Sequence, residues 1–293
     1  MKIFVTGATG QLGRAIVKDF SRRYEVIAPT RKQLDLTNPV SVFSTVHDVR
    51  PSVIVNCSGY NDVDGAEADS VSALKINALA VRTLAVVANQ IGATLVHYSS
   101  DFVFDGTATE PYQEENDPHP QSAYAVSKLL GEFLMRDANR HYLLRVESLF
   151  GGVNDRWDTD DVPQRRKSSI DQIIESIVAE RETRVFVDRV VSPSYIEDVA
   201  TATRSMVERG VPEGLYHCVN SGMGTWLELA QEVGRQLGRD TELIPISASN
   251  ADFVATRPKF CALSNAKLES VGIKMPTWQD ALNRHLTSLK LKA

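Results

Sequence analysis

Residues 2–13, Lys-Ile-Phe-Val-Thr-Gly-Ala-Thr-Gly-Gln-Leu-Gly, place a β-branched apolar run directly before three glycines spaced three residues apart. The run predicts a buried strand that ends at Gly7, and the periodicity from Gln11 to Arg22 predicts a helix. Glycines at this turn let backbone amides approach a pyrophosphate at the helix N-terminus. The pattern is weak alone, but its position between a strand and a helix predicts a dinucleotide-binding fold.

The rest of the N-terminal half alternates apolar runs of strand length with segments of helix length. Apolar strands separated by helices are typical of a parallel sheet that is covered on both faces. The predicted fold class is therefore α/β, with a doubly wound, Rossmann-like parallel sheet. Strands are expected at 25–28, 52–56, 94–98 and 142–146, and helices at 38–48, 66–91 and 122–140.

The C-terminal half is less regular and predicts a second, smaller lobe. We assign residues 1–150, plus segments within 170–222, to a dinucleotide-binding domain. Residues 151–169 and 223–293 are assigned to a discontinuous substrate lobe. The polar stretch 152–167 has mixed charges and no apolar periodicity. We therefore expect it to be mobile and to act as a lid or a partner contact.

Composition and charge exclude several function classes. The chain has 293 residues, of which 43% are apolar and 24% charged, as in an ordinary globular protein. A net charge of −5 without a long Lys/Arg run predicts neither a nucleic-acid nor a membrane partner. The apolar stretch 78–96 contains Arg82, Asn89 and Gln90, so a helix and a strand are expected there instead of a membrane span. Three cysteines without metal-ligand spacing predict no disulfide framework and no metal site, and fit a cytoplasmic location.

The end of the second predicted strand indicates which nicotinamide cofactor is preferred. Dinucleotide folds that bind NAD usually place an acidic residue there, to hold the ribose. This chain has Thr30, Arg31 and Lys32 instead. Because two cations can bind a 2′-phosphate, the sequence predicts NADPH, and NADH remains open.

Tyr124 and Lys128 form a Tyr-x-x-x-Lys pair at the start of a predicted helix. A spacing of four places both side chains on one helix face. The ammonium is expected to lower the pKa of the phenol, which can then exchange a proton with a carbonyl or carbinol oxygen. Ser99-Ser100-Asp101 ends the fourth predicted strand, where ligands bind at the edge of a parallel sheet. A hydroxyl at that edge could hydrogen-bond the same reacting oxygen.

These features together resemble the extended short-chain dehydrogenase/reductase superfamily, and within it the dTDP-4-dehydrorhamnose reductase family. The resemblance covers nearly the whole chain, and it implies an NADPH-dependent oxidoreductase of carbohydrate biosynthesis that acts on a nucleotide-linked 4-keto-6-deoxy sugar. The motifs that carry it are Leu34-Asp35-Leu36-Thr37, Pro51-Ser-Val-Ile-Val-Asn56, Val63-Asp64-Gly65-Ala66-Glu67, Ser99-Ser-Asp-Phe-Val-Phe-Asp-Gly106, Ser192-Pro193-Ser194-Tyr195 and Arg257-Pro258.

The resemblance also implies roles for individual residues. Ser100, Tyr124 and Lys128 would be the catalytic trio, with Tyr124 as the proton donor. The substrate would contact Val63, Asp101, Phe102, Ser148 and Arg257. Together with Thr30 and Arg31, the residues expected at the cofactor are Gly7, Gly10, Gln11, Leu12, Asp35, Leu36, Ser58, Tyr60, Asn77 and Lys128.

Three departures from the family pattern fall on the substrate side. Phe102 replaces a tyrosine, and Val146-Glu147-Ser148 stands where the family often has Thr-Ser-Trp. The stretch 151–167 is also longer than usual. Such departures fit an alternative, a non-catalytic NADP-binding subunit that resembles the regulatory β subunit of methionine adenosyltransferase. A second alternative is other nucleotide-sugar chemistry. Dehydratases of this superfamily carry Asp-Glu after the catalytic hydroxyl residue, but Ser100 is followed by Asp101 and Phe102. The sequence does not specify which sugar or which nucleotide is bound, and a homodimer is possible.

Overall fold

A central sheet of six parallel strands forms the centre of the computed structural model, which describes residues 1–152, 167–239 and 242–291. The strands of the described residues are β1 (Lys2–Thr6), β2 (Glu25–Ile27), β3 (Val53–Asn56), β4 (Thr94–Ser100), β5 (His141–Val146), β6 (Leu149–Phe150), β7 (Thr183–Phe186), β8 (Val190–Val191), β9 (Ser194–Tyr195), β10 (Gly214–His217), β11 (Gly224–Thr225) and β12 (Leu243–Ile246). The large sheet has the order β10-β5-β4-β3-β1-β2, and the other six strands pair in three short two-stranded sheets.

The strand order positions the site. From β1 the chain builds outward to β2 on one side, and to β3, β4, β5 and β10 on the other. Ligands bind in such sheets beyond the carboxyl ends of the strands where this order reverses. Here the reversal lies between β1 and β3, so the turn after β1 faces the residues that follow β3. The predicted doubly wound α/β class is confirmed.

Helices cover both faces of the sheet. Ile16 of the first helix packs with Val5 and Val199 on one face, and Val46 and Leu84 pack with the opposite face. The helices of the described residues are α1 (Gln11–Phe20), α2 (Pro39–Val49), α3 (Val63–Ala68), α4 (Ser70–Leu74), α5 (Ala80–Ile91), α6 (Ala123–Met135), α7 (Ser169–Val178), α8 (Ile196–Arg209), α9 (Trp226–Leu237), α10 (Ala266–Ser270) and α11 (Trp278–Ser288).

The single long helix predicted over 66–91 is instead three helices joined through one π-helical turn, Lys75–Leu79. The helical region starts earlier, at Val63, because the Asp62 carboxylate accepts a hydrogen bond from the Gly65 amide. It breaks at Asp69, which caps α4. The π turn lies against α6, where a Cβ on Gly131 would lie 2.0 Å from the carbonyl oxygen of the turn's Asn77. Only glycine permits that approach.

The continuous run Ser70–Ile91 has 22 residues and is long and apolar enough to cross a membrane by length and composition alone. Half of its most apolar window is buried inside the fold. Val81 and Leu84 pack there against Ile54 and Leu95 of the sheet. This packing is that of a core helix, which the polar residues of the sequence also predict.

A third apolar cluster lies apart from the two faces of the sheet. It joins Ile174 of α7, Trp226 and Val233 of α9, and Leu282 of α11, which are far apart in sequence. By contrast, β10 is a strand of the large sheet, and α8 and Ile273 belong to the apolar cluster on one face of that sheet. Of the stretch 152–167, for which mobility is predicted, residues 153–166 lie outside the described residues.

Candidate active site

The glycine turn after β1 has the form that a pyrophosphate requires. Gly7 has a φ of +66°, and a Cβ there would lie 2.6 Å from the Cys57 carbonyl carbon and the Ser58 nitrogen. A Cβ on Gly13 would lie 2.1 Å from the Gly7 oxygen. Among the described residues no side chain caps α1, so its first-turn amides and the positive end of its dipole face outward at Gly10. The residues present therefore fit a dinucleotide cofactor.

A continuous cleft runs from this turn to Tyr124. Its first part, the glycine-turn cavity, has a volume of about 410 Å³, and its second part, the tyrosine cavity, of about 300 Å³. Gly10, Ser58 and Gly59 line both parts. The glycine-turn cavity contains the predicted cofactor residues Gly7, Gly10, Arg31, Asp35, Leu36, Ser58 and Tyr60. The tyrosine cavity contains the predicted residues Gly10, Gln11, Leu12, Ser58, Ser100, Asp101, Tyr124, Lys128 and Ser148.

Two predicted cofactor residues, Asn77 and Thr30, are not among the residues that line the cleft. The Asn77 side chain is fully buried. Its amide oxygen accepts a hydrogen bond from the Tyr60 backbone nitrogen at 2.8 Å, and its amide nitrogen donates to the Tyr60 carbonyl at 3.0 Å and to the Ser127 hydroxyl at 2.9 Å. It therefore holds the loop after β3 in place. Thr30 hydrogen-bonds Gln33 through both its backbone nitrogen and its hydroxyl, at 2.8 and 3.0 Å.

The trio predicted to be catalytic lines the tyrosine cavity. The Ser100 hydroxyl donates to Asp101 Oδ1 at 2.8 Å and accepts from the Phe102 amide at 3.2 Å. Lys128 Nζ donates to the Tyr98 carbonyl at 2.6 Å. Tyr124 and Lys128 are only 8% and 4% exposed, so the cleft surrounds both groups with protein.

The protonation of the trio differs from the expectation based on sequence. Burial raises the pKa of Tyr124 above its ordinary value of 10, and a hydrogen bond with Ser100 opposes that rise. Burial also lowers the pKa of Lys128 to about 8, against the opposing charge of Glu132. The predicted lowering of the Tyr124 pKa by Lys128 is wrong in this structure, because desolvation dominates. The phenol is therefore protonated at neutral pH and can act as an acid.

The turn after β5 lines the tyrosine cavity at Ser148, and Phe102 packs against Tyr124. The Phe102 ring meets the Tyr124 ring edge-on, with centroids 5.8 Å apart. Ser148 has a φ of +42°, a strained conformation for a residue other than glycine. Strain of this kind persists where the surroundings require one backbone path, and here it lies at the edge of the cavity.

Arg257 lies at a different cavity from the trio. Its guanidinium makes two hydrogen bonds to the Asp64 carboxylate, at 2.8 and 2.7 Å, and stacks 4.0 Å from the Phe253 ring centre. This second cavity, of about 350 Å³, is lined by α7, β7 and Trp226 as well as Arg257. The hydrogen bonds from Arg257 hold the pKa of Asp64 well below its usual range. Val63 starts α3 beside Asp64 and packs with the Tyr124 cluster.

Sequence reasoning assigned no role to Glu147, a buried acidic residue of the tyrosine cavity. Glu147 follows β5, is only 2% exposed and lines the cavity beside Ser100. A glutamate directly after a buried apolar strand, at the sheet edge where ligands bind, was the signal available in the sequence.

The doubly wound sheet, the glycine turn and a serine, tyrosine and lysine in one cleft define an extended short-chain dehydrogenase/reductase. The comparisons narrow this class further. The model of the RmlD substrate binding domain matches residues 1–291, and the chain belongs to that family. The resemblance to dTDP-4-dehydrorhamnose reductases is thereby confirmed.

Relatives match along their whole length. The chain is 30% identical to the spore coat polysaccharide biosynthesis protein SpsK of Bacillus subtilis, covering 97% of this chain and 96% of the relative. It is 30% identical to a dTDP-4-dehydrorhamnose reductase of Burkholderia thailandensis, with 96% and 97% covered. The crystal structure of the Bacillus anthracis dTDP-4-dehydrorhamnose reductase in complex with NADP matches with a TM-score of 0.89, 29% identity, and 98% and 99% coverage.

Proposed function

We propose that this protein is an NADPH-dependent reductase of a nucleotide-linked 4-keto-6-deoxy sugar. The observation that carries this proposal is the single cleft, which has a pyrophosphate cradle at one end and Ser100, Tyr124 and Lys128 at the other. Relatives named as dTDP-4-dehydrorhamnose reductases support the substrate class, and the NADP complex of one of them supports the cofactor. The regulatory alternative is not favoured, because the trio is intact and buried around the cavity.

The chemistry follows from the trio. NADPH, when bound, supplies a hydride for the ketone carbon. Negative charge then develops on the ketone oxygen, and the neutral phenol of Tyr124 is positioned to protonate it. Ser100 hydrogen-bonds the same oxygen as the charge forms, where a fixed donor is most effective. Lys128 holds a positive charge in the buried end of the cleft and orients the cofactor ribose.

A direct assay tests the proposal. Purified protein is mixed with NADPH and either dTDP-4-keto-6-deoxy sugars or dTDP-glucose, which has no ketone. Loss of nicotinamide absorbance is expected only with the keto sugars. Tight NADPH binding without turnover of any nucleotide-linked keto sugar would support the regulatory subunit in its place.

We propose that the predicted cofactor residues contact different parts of the dinucleotide along the cleft. Gly7, Gly10, Gln11 and Leu12 offer backbone amides to the pyrophosphate. The adenosine half would contact Thr30, Arg31, Asp35, Leu36, Ser58 and Tyr60, while Asn77 acts by holding Tyr60. Asp35 stays ionised, because hydrogen bonds from Thr37 lower its pKa.

Replacing Arg31 with Ala is expected to remove most of the preference for NADPH over NADH. Arg31 lines the glycine-turn cavity near Asp35, where the 2′-phosphate of the adenosine ribose would lie. A charge-assisted contact with a phosphate contributes about 1–3 kcal/mol, or roughly 10- to 100-fold in affinity. Dissociation constants for both cofactors, measured by fluorescence titration, give the ratio directly.

Arg23→Ala is a suitable control for this prediction. Arg23 is an exposed cation that follows the C-terminal end of α1 and pairs with Glu208 of α8. Its loss should leave the cofactor ratio unchanged. Equal affinity of the unmodified protein for NADPH and NADH would contradict the assignment of Arg31.

Replacing Arg257 with Ala is expected to raise the KM for the nucleotide sugar by about 10- to 100-fold while the KM for NADPH stays within a factor of two or so. Asp64 and Phe253 fix the guanidinium at the edge of a cavity that is large enough for part of a nucleotide. Phosphate and base oxygens suit such a fixed donor. Steady-state kinetics with each substrate varied in turn measure both constants.

Arg257→Lys separates binding from folding in this experiment. Lysine keeps the charge but loses the paired hydrogen bonds to Asp64, so an intermediate KM is expected. If Arg257→Ala lowered thermal stability and left both KM values unchanged, the guanidinium would be a structural contact only.

The remaining assignments are also proposals. We propose that Val63, Asp101, Phe102 and Ser148 approach the sugar, and that the chain is divided into a dinucleotide-binding domain (1–150 with segments within 170–222) and a substrate lobe (151–169 and 223–293). The separate apolar cluster of α7, α9 and α11 supports a second lobe, to which α7 then belongs. A cytoplasmic location, the absence of nucleic-acid and membrane partners, and a homodimer are proposed on the sequence alone.

A further inference from the structure

Three buried side chains from distant parts of the sequence meet behind Ser100. Asp101, Glu147 and Cys261 are 5%, 2% and 1% exposed, and their carboxylate oxygens and thiol sulfur lie within 4.8 Å of one another. Arg189 is also buried, at 8% exposure, and its positive charge acts on both carboxyl groups. The mechanism described above uses none of Glu147, Cys261 or Arg189.

Charge balance limits how many of these groups can be ionised. Two carboxylates and one guanidinium in a buried cluster would leave one negative charge without a counter-ion, which is costly in a medium of low polarity. Burial keeps the Cys261 thiol neutral, because it raises that pKa far above its ordinary value. One of the two carboxyl groups is therefore expected to keep its proton.

The hydrogen bonds show which group keeps it. Asp101 Oδ1 accepts the Ser100 hydroxyl, which favours the ionised form of Asp101. Glu147 Oε2 accepts the Ser192 amide at 2.6 Å, but Glu147 Oε1 is buried without a hydrogen-bond partner among the described residues. Burial raises the pKa of Glu147 well above its usual range, whereas the pKa of Asp101 rises only to about 6. Glu147 is thus neutral at pH 7 while Asp101 is mostly ionised.

We propose that Glu147 stores a proton and returns it to Tyr124 through Asp101 and Ser100 after each reduction. Asp101 contacts Ser100 at 2.8 Å, and Ser100 and Tyr124 line the same cavity, so Ser100 lies between Asp101 and the phenol. The remaining separation, between Glu147 and Asp101, is at most 4.8 Å, which one water molecule can bridge. Because Glu147 acts through other residues, it is a positioning residue of the proton chain and not a catalytic one.

The proton transfers balance as follows. Tyr124 gives its proton to the ketone oxygen and becomes a phenolate. Glu147 then passes its proton to the ionised Asp101, and Asp101 passes a proton to Ser100. Ser100 turns its hydroxyl from Asp101 to the phenolate and gives it a proton. The net result is a neutral Tyr124 and an ionised Glu147, and no electron pair moves between the residues. Glu147 lines the tyrosine cavity, so a solvent proton can restore it once the product leaves.

The titratable and charged groups around Glu147 come from three elements. Asp101 follows β4, Arg189 precedes β8, and Cys261 lies on the segment that bonds the β8 backbone through the Val190 carbonyl. Arg189 disfavours a metal cation here, and it stabilises the second negative charge that exists briefly after the transfer. The cluster is therefore better suited to holding a proton than to holding a metal.

The test uses Glu147→Gln, which keeps the shape and an acceptor for the Ser192 amide but has no acidic proton. The inference depends on the proposed function, so the readout is NADPH oxidation with a dTDP-linked 4-keto-6-deoxy sugar in rapid mixing. One NADPH per site should be oxidised at the normal rate, because Tyr124 starts protonated. Later turnovers should be slower by about tenfold or more, with the KM for NADPH unchanged.

Glu114→Gln is the matched control. Glu114 also accepts a backbone amide, that of His217 at 2.7 Å, and lies outside the cleft. It should show equal first and later turnovers. Later turnovers of Glu147→Gln at the normal rate would overturn the proposal, and so would an equal loss in first and later turnovers, which indicates a structural role.

A second measurement needs no substrate. The infrared difference between the unmodified protein and Glu147→Gln at pH 7 should show the loss of a protonated carboxylic acid band. Loss of an ionised carboxylate band would overturn the stored proton. If the acid band is seen and no keto sugar is reduced, the failure lies with the proposed function, while the protonated Glu147 stands.

Discussion

Replacing Tyr124 with Phe is expected to lower kcat for keto-sugar reduction by about 10²- to 10⁴-fold, or roughly 3–5 kcal/mol of barrier. Phenylalanine keeps the ring that packs edge-on against Phe102 and removes only the hydroxyl group. The ketone oxygen then lacks its proton donor, while the pyrophosphate cradle at Gly7 is untouched. Cofactor affinity should therefore change little, and steady-state kinetics with a direct NADPH titration measure both quantities.

Tyr112→Phe is the matched control for this variant. Tyr112 is also buried, and its hydroxyl donates to Asp105 at 2.9 Å, outside the cleft. It should lose some stability and keep its turnover. If Tyr124→Phe reduced an identified keto sugar at the normal rate, the proton-donor role would belong to another group.

The pH dependence of reduction follows from the same burial. The raised pKa of Tyr124 keeps the phenol protonated through neutral pH, so its own ionisation does not limit reduction there. The pKa of Lys128 is lowered to about 8, so its ammonium charge is lost as the pH rises through that value. Reduction should accordingly slow above about pH 8, because the positive charge that stabilises the developing oxyanion disappears.

The central sheet and the trio could be predicted because their signals are local. Twelve consecutive residues are enough to predict the turn at Gly7, and Tyr124 and Lys128 are one helical turn apart. The doubly wound class could be predicted without a strand order, because parallel sheets of this kind follow few topologies. Bounds were less accurate, since caps such as Asp62 and Asp69 decide where α3 and α4 begin.

The buried cluster behind Ser100 could not be predicted, because its members are close only in three dimensions. Asp101, Glu147 and Cys261 come from three separate segments, and no spacing in the sequence relates them. The sequence predicts a lowered pKa for Tyr124, and the raised value in the structure has a related cause. The spacing to Lys128 was visible, but the desolvation that dominates both groups depends on how completely the fold encloses them.

The face of α6 that carries the chemistry also carries a buried ion pair. Glu132 lies four residues after Lys128, so both are on the same helix face. Its carboxylate receives two hydrogen bonds from the Arg145 guanidinium, at 2.9 and 2.7 Å, and both side chains are only 3% exposed. The guanidinium also lies 4.9 Å from the Phe104 ring centre. The pair joins α6 to β5, and hence Lys128 to the sheet.

Replacing Glu132 with Gln is expected to lower the free energy of unfolding by about 3–5 kcal/mol, because it leaves the Arg145 charge buried without a counter-ion. That is a large share of the roughly 5–15 kcal/mol typical of a folded protein. The variant also removes the negative charge that opposes the lowering of the Lys128 pKa, so the loss of activity should begin at a lower pH. Denaturant unfolding measures the first effect and a pH profile of kcat the second.

A double replacement, Glu132→Leu with Arg145→Met, distinguishes a lost ion pair from lost packing. Replacing both partners by apolar groups of similar size leaves no buried charge, and such changes are often neutral or stabilising. The double variant should therefore recover most of the unfolding free energy that Glu132→Gln loses, while the Lys128 charge stays unsupported and the activity loss at raised pH persists. The free energy of unfolding of Glu132→Gln could instead lie within about 1 kcal/mol of that of the unmodified protein, as expected for an exposed pair. In that case, apolar contacts would hold α6 to the sheet. The pair would then serve the chemistry of Lys128 and not the fold.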